Sequence, residues 1–334
     1  EPTSSLAANE VENLFKAIRE LKKRDIIIIY ISHKLQEIPQ ITDTITVLRD
    51  GKFVGSVNTC DISNQGIINM MFGETQIRQR PNTLKVQDET VLQIKNLCRK
   101  GVFDNVNFEL KKGEVLGIAG MLGAGRTELL KSIFGADHYD SGEVIINGKT
   151  APRKSSVIRM KEMGLGLTPE DRKKEGLILI HSIKDNLCYA SMKQTANGWF
   201  EKRRKRDSEA NQQIRDLQIK IPDIDAAVSS LSGGNQQKVV VGNWLNTHPQ
   251  IMLYDEPSRG IDVNAKQQIF EIMWKPAAQG ISSIFVSSEL EELMEVCHRI
   301  LIMRNGCILG EVYPEDISIN QLYAYCMGGI DNEQ

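Results

Sequence analysis

The stretch Leu231-Ser232-Gly233-Gly234-Asn235-Gln236-Gln237-Lys238, followed by the apolar run Ile251-Met252-Leu253-Tyr254 that ends in Asp255-Glu256, decides the reading of this chain. Two glycines after a serine leave backbone N–H groups bare enough to approach an anion, and a helix starting there adds its positive end. The apolar run reads as a strand carrying two carboxylates to its C-terminal tip. A magnesium nucleotide site needs that layout, with one carboxylate to hold the ion and one to activate water. Each half alone has a plainer reading, a turn for Ser-Gly-Gly and a strand meeting water for Asp-Glu.

A third piece lies upstream. After the apolar stretch 115–119 comes Gly120-Met121-Leu122-Gly123-Ala124-Gly125-Arg126-Thr127-Glu128, with the strand, loop, helix order of a phosphate loop. Gly120, Gly123 and Gly125 let the loop wrap a phosphate with backbone N–H groups, and the Thr127 hydroxyl is placed to ligate Mg²⁺. Arg126 stands where the pattern asks for lysine, and a planar fork does not reproduce a compact ammonium reaching between phosphates.

With these three motifs in this order, the chain resembles the ATP-binding subunits of ABC transporters. The extended signature 231–238, the loop 123–128, Pro169-Glu170-Asp171-Arg172-Lys173 and Asp255-Glu256-Pro257-Ser258-Arg259-Gly260-Ile261-Asp262 are similar to the second half of the duplicated ATPases of bacterial monosaccharide importers, the ribose, arabinose, xylose and galactoside type. The resemblance implies an α/β fold of the ABC-type P-loop NTPase: a mixed, largely parallel core sheet with helices, an antiparallel β subdomain and a helical subdomain. It also implies ATP and Mg²⁺ as cofactors and ATP hydrolysis that energises sugar import. The implied partners are integral membrane permease subunits and, indirectly, a periplasmic or extracellular sugar-binding protein, with the chain at the cytoplasmic face of the membrane.

An internal repeat supports duplication independently. Glu1 matches Glu256, His33 matches Ser288 and Gly51 matches Gly306, each pair 255 residues apart without gaps. The chain is therefore expected to be a fragment, with residues 1–76 the end of a first copy, 77–90 a polar linker containing Pro81, and 91–330 a complete second copy. His33, at the end of the aliphatic run 26–31, is a candidate to hydrogen-bond a γ-phosphate and hold attacking water. Its counterpart Ser288, like Arg126, is a replacement that the resemblance makes usual in the second half.

In the resembled family each phosphate loop faces the signature of the other copy. That implies two shared sites. Ser232, Gly233, Gly234 and Gln236 would serve a competent site with Glu1 and His33. Residues 120–128 (Gly120, Gly123, Ala124, Gly125, Arg126, Thr127 and Glu128), with Asp255, Glu256 and Ser288, would form a weaker one, completed by the other copy or by a second chain pairing head to tail. Residues 169–176 lie where relatives place a Gln that touches Mg²⁺ and the permease, and Glu170 is the nearest polar candidate there, so the expected metal ligands are Thr127, Asp255 and Glu170.

Composition agrees with a soluble α/β protein. The 334 residues are 41% hydrophobic, enough for a substantial core, and a net charge of −2 gives no electrostatic case for nucleic acid. The six cysteines show no C-x-x-C pairing, which favours reduced thiols over a zinc site. The longest aliphatic run is too short to cross a bilayer. Periodicity predicts a helix over 9–23, a buried strand over 26–31, strands near 45–48, 53–57 and 103–110, a hairpin over 142–148 and a mostly helical lobe over 182–230. The run Lys202-Arg203-Arg204-Lys205-Arg206, between Glu201 and Asp207, reads as a solvated helix face. Phe103 or Phe108, or neither, stacks on an adenine; His298, Met303 and Trp274 read as core or its rim.

Two alternatives accompany the import ATPase. A catalytically weak nucleotide-binding or regulatory module would suit Arg126 and Ser288. A soluble ABC ATPase of translation or DNA repair would need a coiled-coil insertion or basic arm that this sequence lacks.

Overall fold

The computed structural model describes residues 8–24, 26–31, 38–49, 52–62, 66, 67, 70, 80, 81, 84–197 and 200–327. Contacts divide the chain into two compact units, Glu1–Arg78 and Gln79–Gln334. Glu1 and His33, two of the expected catalytic residues, lie outside the described residues.

In the first unit the helix Ala8–Lys22 buries Phe15 and Ile18, three residues apart on one face, against Ile41. A hairpin pairs Thr44–Arg49 with Lys52–Asn58 antiparallel, placing Ile45 opposite Val57 and burying Ile45 and Val47. The run 26–31 departs from expectation. It belongs to no strand, and Ile27, Ile29 and Ile31 are 93%, 88% and 70% exposed while Ile28 and Tyr30 pack on the helix. A strand buried on both faces needs ladder partners and a layer above and below. Among the described residues of this unit, one helix face covers one side of the run and no strand pairs with its edges.

The second unit has three layers. Its central sheet has six strands in the order Cys307–Val312, Arg299–Arg304, Val115–Ala119, Ser282–Val286, Ile251–Asp255 and Leu165–Thr168. All neighbours are parallel except the first pair. The three middle strands are buried at every position, so their residues alternate between two cores. Met252, Tyr254 and Phe285 enter the core beneath the helices Gly233–Leu245, Val263–Ala278 and Leu290–Val296. Ile251, Leu253 and Ile284 enter the other, under the helix Arg126–Ile133 and a four-stranded antiparallel sheet.

That second sheet runs Phe103–Lys112, Gln87–Arg99, Ser141–Ile146 and Lys149–Thr150. The strand Gln87–Arg99 begins inside the stretch read as linker. The expected helical lobe contains helices Ile183–Cys188 and Arg203–Asp216. At the start of the latter, residues 202–205 are exposed as expected, whereas Arg206 is largely covered and pairs with Asp185 of the neighbouring helix at 3.3 Å. Met303 and Trp274 are core, and His298 Nδ1 accepts from the Val115 N–H at 3.0 Å. No described helix is long and apolar enough to cross a membrane.

Candidate functional site

The central strands stop together, and their C-terminal tips carry the chemistry. Strand Val115–Ala119 runs into the glycine loop, and helix Arg126–Ile133 leaves it with Gly125 as N-cap at φ +95°. Only glycine enters that left-handed conformation without strain, and a side chain there would also stand 3.0 Å from the Val102 carbonyl. The helix N-terminus therefore meets an open loop whose residues 121–123 are exposed. Unpaired N–H groups and the helix dipole make such an end a phosphate cradle. Ala124 is buried, its N–H on Met121 O at 3.0 Å, while Thr127 and Glu128 are half-buried.

Two strands away, Asp255 and Glu256 end strand Ile251–Asp255. The Thr127 hydroxyl donates to Asp255 Oδ1 at 3.1 Å, while Asp255 Oδ2 is buried without a partner. Burial pushes the Asp255 carboxyl up to about 7, against the pull of the Thr127 hydrogen bond. A desolvated carboxylate with one unsatisfied oxygen, beside a hydroxyl and beneath a phosphate loop, is a hard oxygen set that fits Mg²⁺. Among the described residues no three His, Cys, Asp or Glu side chains gather as a metal cage, so phosphate oxygens and water would supply the remaining ligands.

Glu256 is held in the left-handed region, φ +48°, which a glutamate occupies only where its surroundings over-determine it. Its N–H bonds Val286 O at 3.0 Å, and Ser288 Oγ donates to its Oε2 at 3.1 Å. Burial raises the Glu256 carboxyl, and hydrogen bonds from Ser288 and the charge of Arg126 oppose that rise.

Arg126 turns inward from the loop. It is 7% exposed, Nη1 donates to Ser287 O at 2.6 Å, and Nη2 lies 3.7 Å from Glu256 Oε1. The residue in the lysine position thus braces the two carboxylate-bearing segments from within. The loop pattern marks Arg126 as a departure from lysine but carries no signal for the inward direction of its side chain.

The signature occupies another edge of the unit. Ser232 caps helix Gly233–Leu245 with an exposed side chain that makes no bond to the helix N–H groups, and it accepts from Asn235 Nδ2 at 3.1 Å. Gly234 packs so closely that a Cβ would lie 2.4 Å from Ala265 Cβ. Gln236, expected among the nucleotide contacts, is buried with Nε2 on Leu231 O at 3.1 Å and Val228 O at 3.4 Å. It braces the turn that presents Ser232, because the helix buries that position.

Glu170, expected on the metal, is instead engaged by the Arg259 guanidinium. The structure brings Thr127 and Asp255 together without it. Arg172 completes this corner with Nη1 on Arg259 O at 2.8 Å and Nη2 on Gly260 O at 3.3 Å, and Nη2 lies 2.8 Å from where a Gly233 Cβ would be. Nothing in the motif spacing pointed to Arg172 or Arg259 in that role. Phe103 lines a concavity of about 680 Å³ with Gly123 and Asn305, whereas Phe108 lines a different one against His298.

Comparison with known proteins gives the family and the fold. The family profile described as ABC transporter matches residues 103–259. The chain is 37% identical over 333 residues to the ribose import ATP-binding protein RbsA of Oceanobacillus iheyensis, spanning 100% of this chain and 67% of that protein. It is 38% identical over 329 residues to an RbsA of Bacillus cereus, covering 98% of this chain and 66% of that one. The chain spans 63–67% of the length of such curated relatives. Among solved structures, a nucleotide-free ATP-binding cassette from an ABC transporter superposes with TM-score 0.61 at 20% identity, covering 70% of this chain and 98% of that one. A dimeric cassette in a post-hydrolysis state with ADP and Pi gives TM-score 0.59 at 21% identity, covering 68% and 100%.

Proposed function

This chain belongs to the ABC transporter ATP-binding proteins, and from that membership we propose that it binds ATP and energises import of a monosaccharide through membrane permease subunits. It works at the cytoplasmic face of the membrane, with an extracytoplasmic sugar-binding protein as indirect partner. The observation that carries this reading is the Thr127–Asp255 bond at 3.1 Å beneath an open phosphate loop, with Asp255 Oδ2 left for a cation.

In this reading residues 120–126 cradle the β-phosphate by backbone N–H groups, while Phe103 and Phe108 are buried in the core and neither ring is presented for stacking. Mg²⁺, when bound by Thr127 and Asp255, neutralises charge on the phosphate oxygens. Glu256 accepts the proton of attacking water, and Ser288 orients the Glu256 carboxylate. Ser232, Gly233 and Gly234 offer the exposed helix N-terminus to nucleotide on another copy's loop, so that two copies complete each other's sites. Residues 77–86 link this copy to the first, residues 1–76.

A second reading is favoured by Arg126. With its guanidinium occupied by Ser287 O and near Glu256, the site would bind nucleotide but turn it over slowly, the catalytically weak partner of a stronger site. Both readings are tested by monosaccharide uptake in a strain lacking the gene for this protein, complemented by that gene or by its Asp255→Asn variant. Loss of uptake with both intact expression and membrane recruitment supports the first reading. Uptake retained at a reduced rate supports the second. Uptake unchanged by the variant would overturn nucleotide use at this site.

A further inference from the structure

Behind the two carboxylates lies a buried polar cluster with no part in holding nucleotide. Glu292, on helix Leu290–Val296, is 3% exposed and places Oε2 within 2.5 Å of Ser258 Oγ and 2.7 Å of Ser287 Oγ. Its Oε1 lies 2.6 Å from Lys266 Nζ, which also reaches Glu289 at 2.6 Å. Ser258 and Ser287 are themselves buried. Each belongs to a segment that carries a site residue: Ser258 follows Glu256 by two positions, and Ser287 immediately precedes Ser288.

We infer that Glu292 is a positioning residue, which ties the segment leaving Glu256 to the segment ending in Ser288 and thereby sets where both side chains face a terminal phosphate. The inference rests on the nucleotide reading above. One carboxylate oxygen accepting two hydroxyls fixes the spacing of two chains that no backbone ladder joins beyond the Glu256 N–H to Val286 O bond. The Lys266 ammonium compensates the charge, without which a buried carboxylate would be costly. On the far side, Arg126 Nη1 holds Ser287 O, so the Ser287 peptide is gripped from both faces.

The internal repeat is an independent observation. At the same 255-residue offset, Ser258, Ser287 and Glu292 correspond to Thr3, Ser32 and Glu37. The two hydroxyls and the carboxylate are kept in both copies, although the residue they position differs, His33 in one and Ser288 in the other. Lys266 corresponds to Val11, so the ammonium is not part of the shared set. A group retained while its neighbour changes serves the geometry of the position more than the identity of the side chain there.

The experiment is equilibrium binding of MgATP and of MgADP to the full 334-residue chain. Ser258→Ala, which keeps the buried ion pair, and Glu292→Gln are each expected to weaken ATP about fivefold, the worth of one lost hydrogen bond, and to leave ADP within about twofold. Ser258→Thr, the side chain of the first copy, is expected to restore ATP affinity. If Glu292→Gln does not fold, Ser258→Ala decides. Equal losses for ATP and ADP, or no loss for a folded Ser258→Ala, would overturn the positioning role. A wild-type chain that binds neither nucleotide would instead overturn the nucleotide reading, and this inference with it.

Discussion

Arg126 Nη2 lies 3.7 Å from Glu256 Oε1, with both side chains nearly out of solvent. Because the same guanidinium donates to Ser287 O at 2.6 Å, one side chain of the phosphate loop holds the residue at the carboxylate tip and the segment leading to Ser288. In a site tuned for turnover, a cation at this position would be free to follow the charge of the transferring phosphate. Here it is already committed to the protein.

Arg126→Lys separates those roles. A single ammonium cannot keep Ser287 O and stay beside Glu256 with the geometry of a fork. The nucleotide-free chain is expected to lose about 1–2 kcal/mol of stability, the cost of a charged buried hydrogen bond. ATP affinity should rise several-fold as the ammonium becomes available to phosphate. Thermal denaturation and equilibrium binding check both halves, and a gain of stability without a gain of affinity would contradict this account.

Asp255 links stability to pH. Burial holds its folded carboxyl at about 7, above an unfolded value near 4, so the folded state binds more protons between those limits. Its contribution is therefore favourable at low pH and is lost as pH rises through 7. Asp255→Asn is expected to stabilise the nucleotide-free chain by about 4 kcal/mol at pH 8, about three pH units at about 1.4 kcal/mol each, and by almost nothing at pH 4. MgATP affinity of the unmodified chain should fall between pH 8 and pH 6, as protons compete with the cation. Denaturant titrations and binding isotherms across that range measure both effects.

Gly234 is constrained by contact. A methyl group there would meet Ala265 Cβ at 2.4 Å, two packed helices with no flexible atom to yield. Gly234→Ala is expected to cost about 1–3 kcal/mol by overpacking, and Ala265→Gly in the same chain to recover much of it. Urea denaturation of the single and double variants decides whether the pair is coupled; additive losses would show that it is not.

Head-to-tail pairing has its own signature. If two copies each lend a phosphate loop to the other's Ser232–Gly234, a Thr127→Val chain and a Gly233→Asp chain are each inactive, yet their mixture contains dimers with one intact site. ATPase of an equal mixture should reach roughly a quarter of wild type, from random pairing and one good site in each mixed dimer. Activity absent from the mixture but present in wild type would place both halves of the site in one copy.

Much of this was legible because backbone geometry constrains sequence strongly. The loop at 120–127 needs glycine at Gly125 to start its helix, the signature needs glycine at Gly234 to let two helices touch, and the buried strands admit only apolar residues before Asp255. The three motifs could therefore be placed at the sheet's tip and at a helix start. Side-chain direction was not legible. Arg126 turns inward and Glu170 pairs with Arg259 because each partner comes from a segment outside its own motif, while Gln236 turns back onto Leu231 O within its motif because the helix buries that position. The run 26–31 misled for a related reason: its aliphatic composition states what a strand would bury, while burial depends on neighbours the run itself does not specify.

The most direct measurement is calorimetric titration of ATP into the chain with and without Mg²⁺, for wild type, Thr127→Val and Asp255→Asn. Binding should strengthen at least about tenfold with Mg²⁺ in wild type, and that gain should vanish in both variants while binding without the ion persists. Mg²⁺-dependent binding that survives in both folded variants, or wild-type binding indifferent to Mg²⁺, would contradict the assignment of the Thr127–Asp255 pair as the cation-holding centre of this protein.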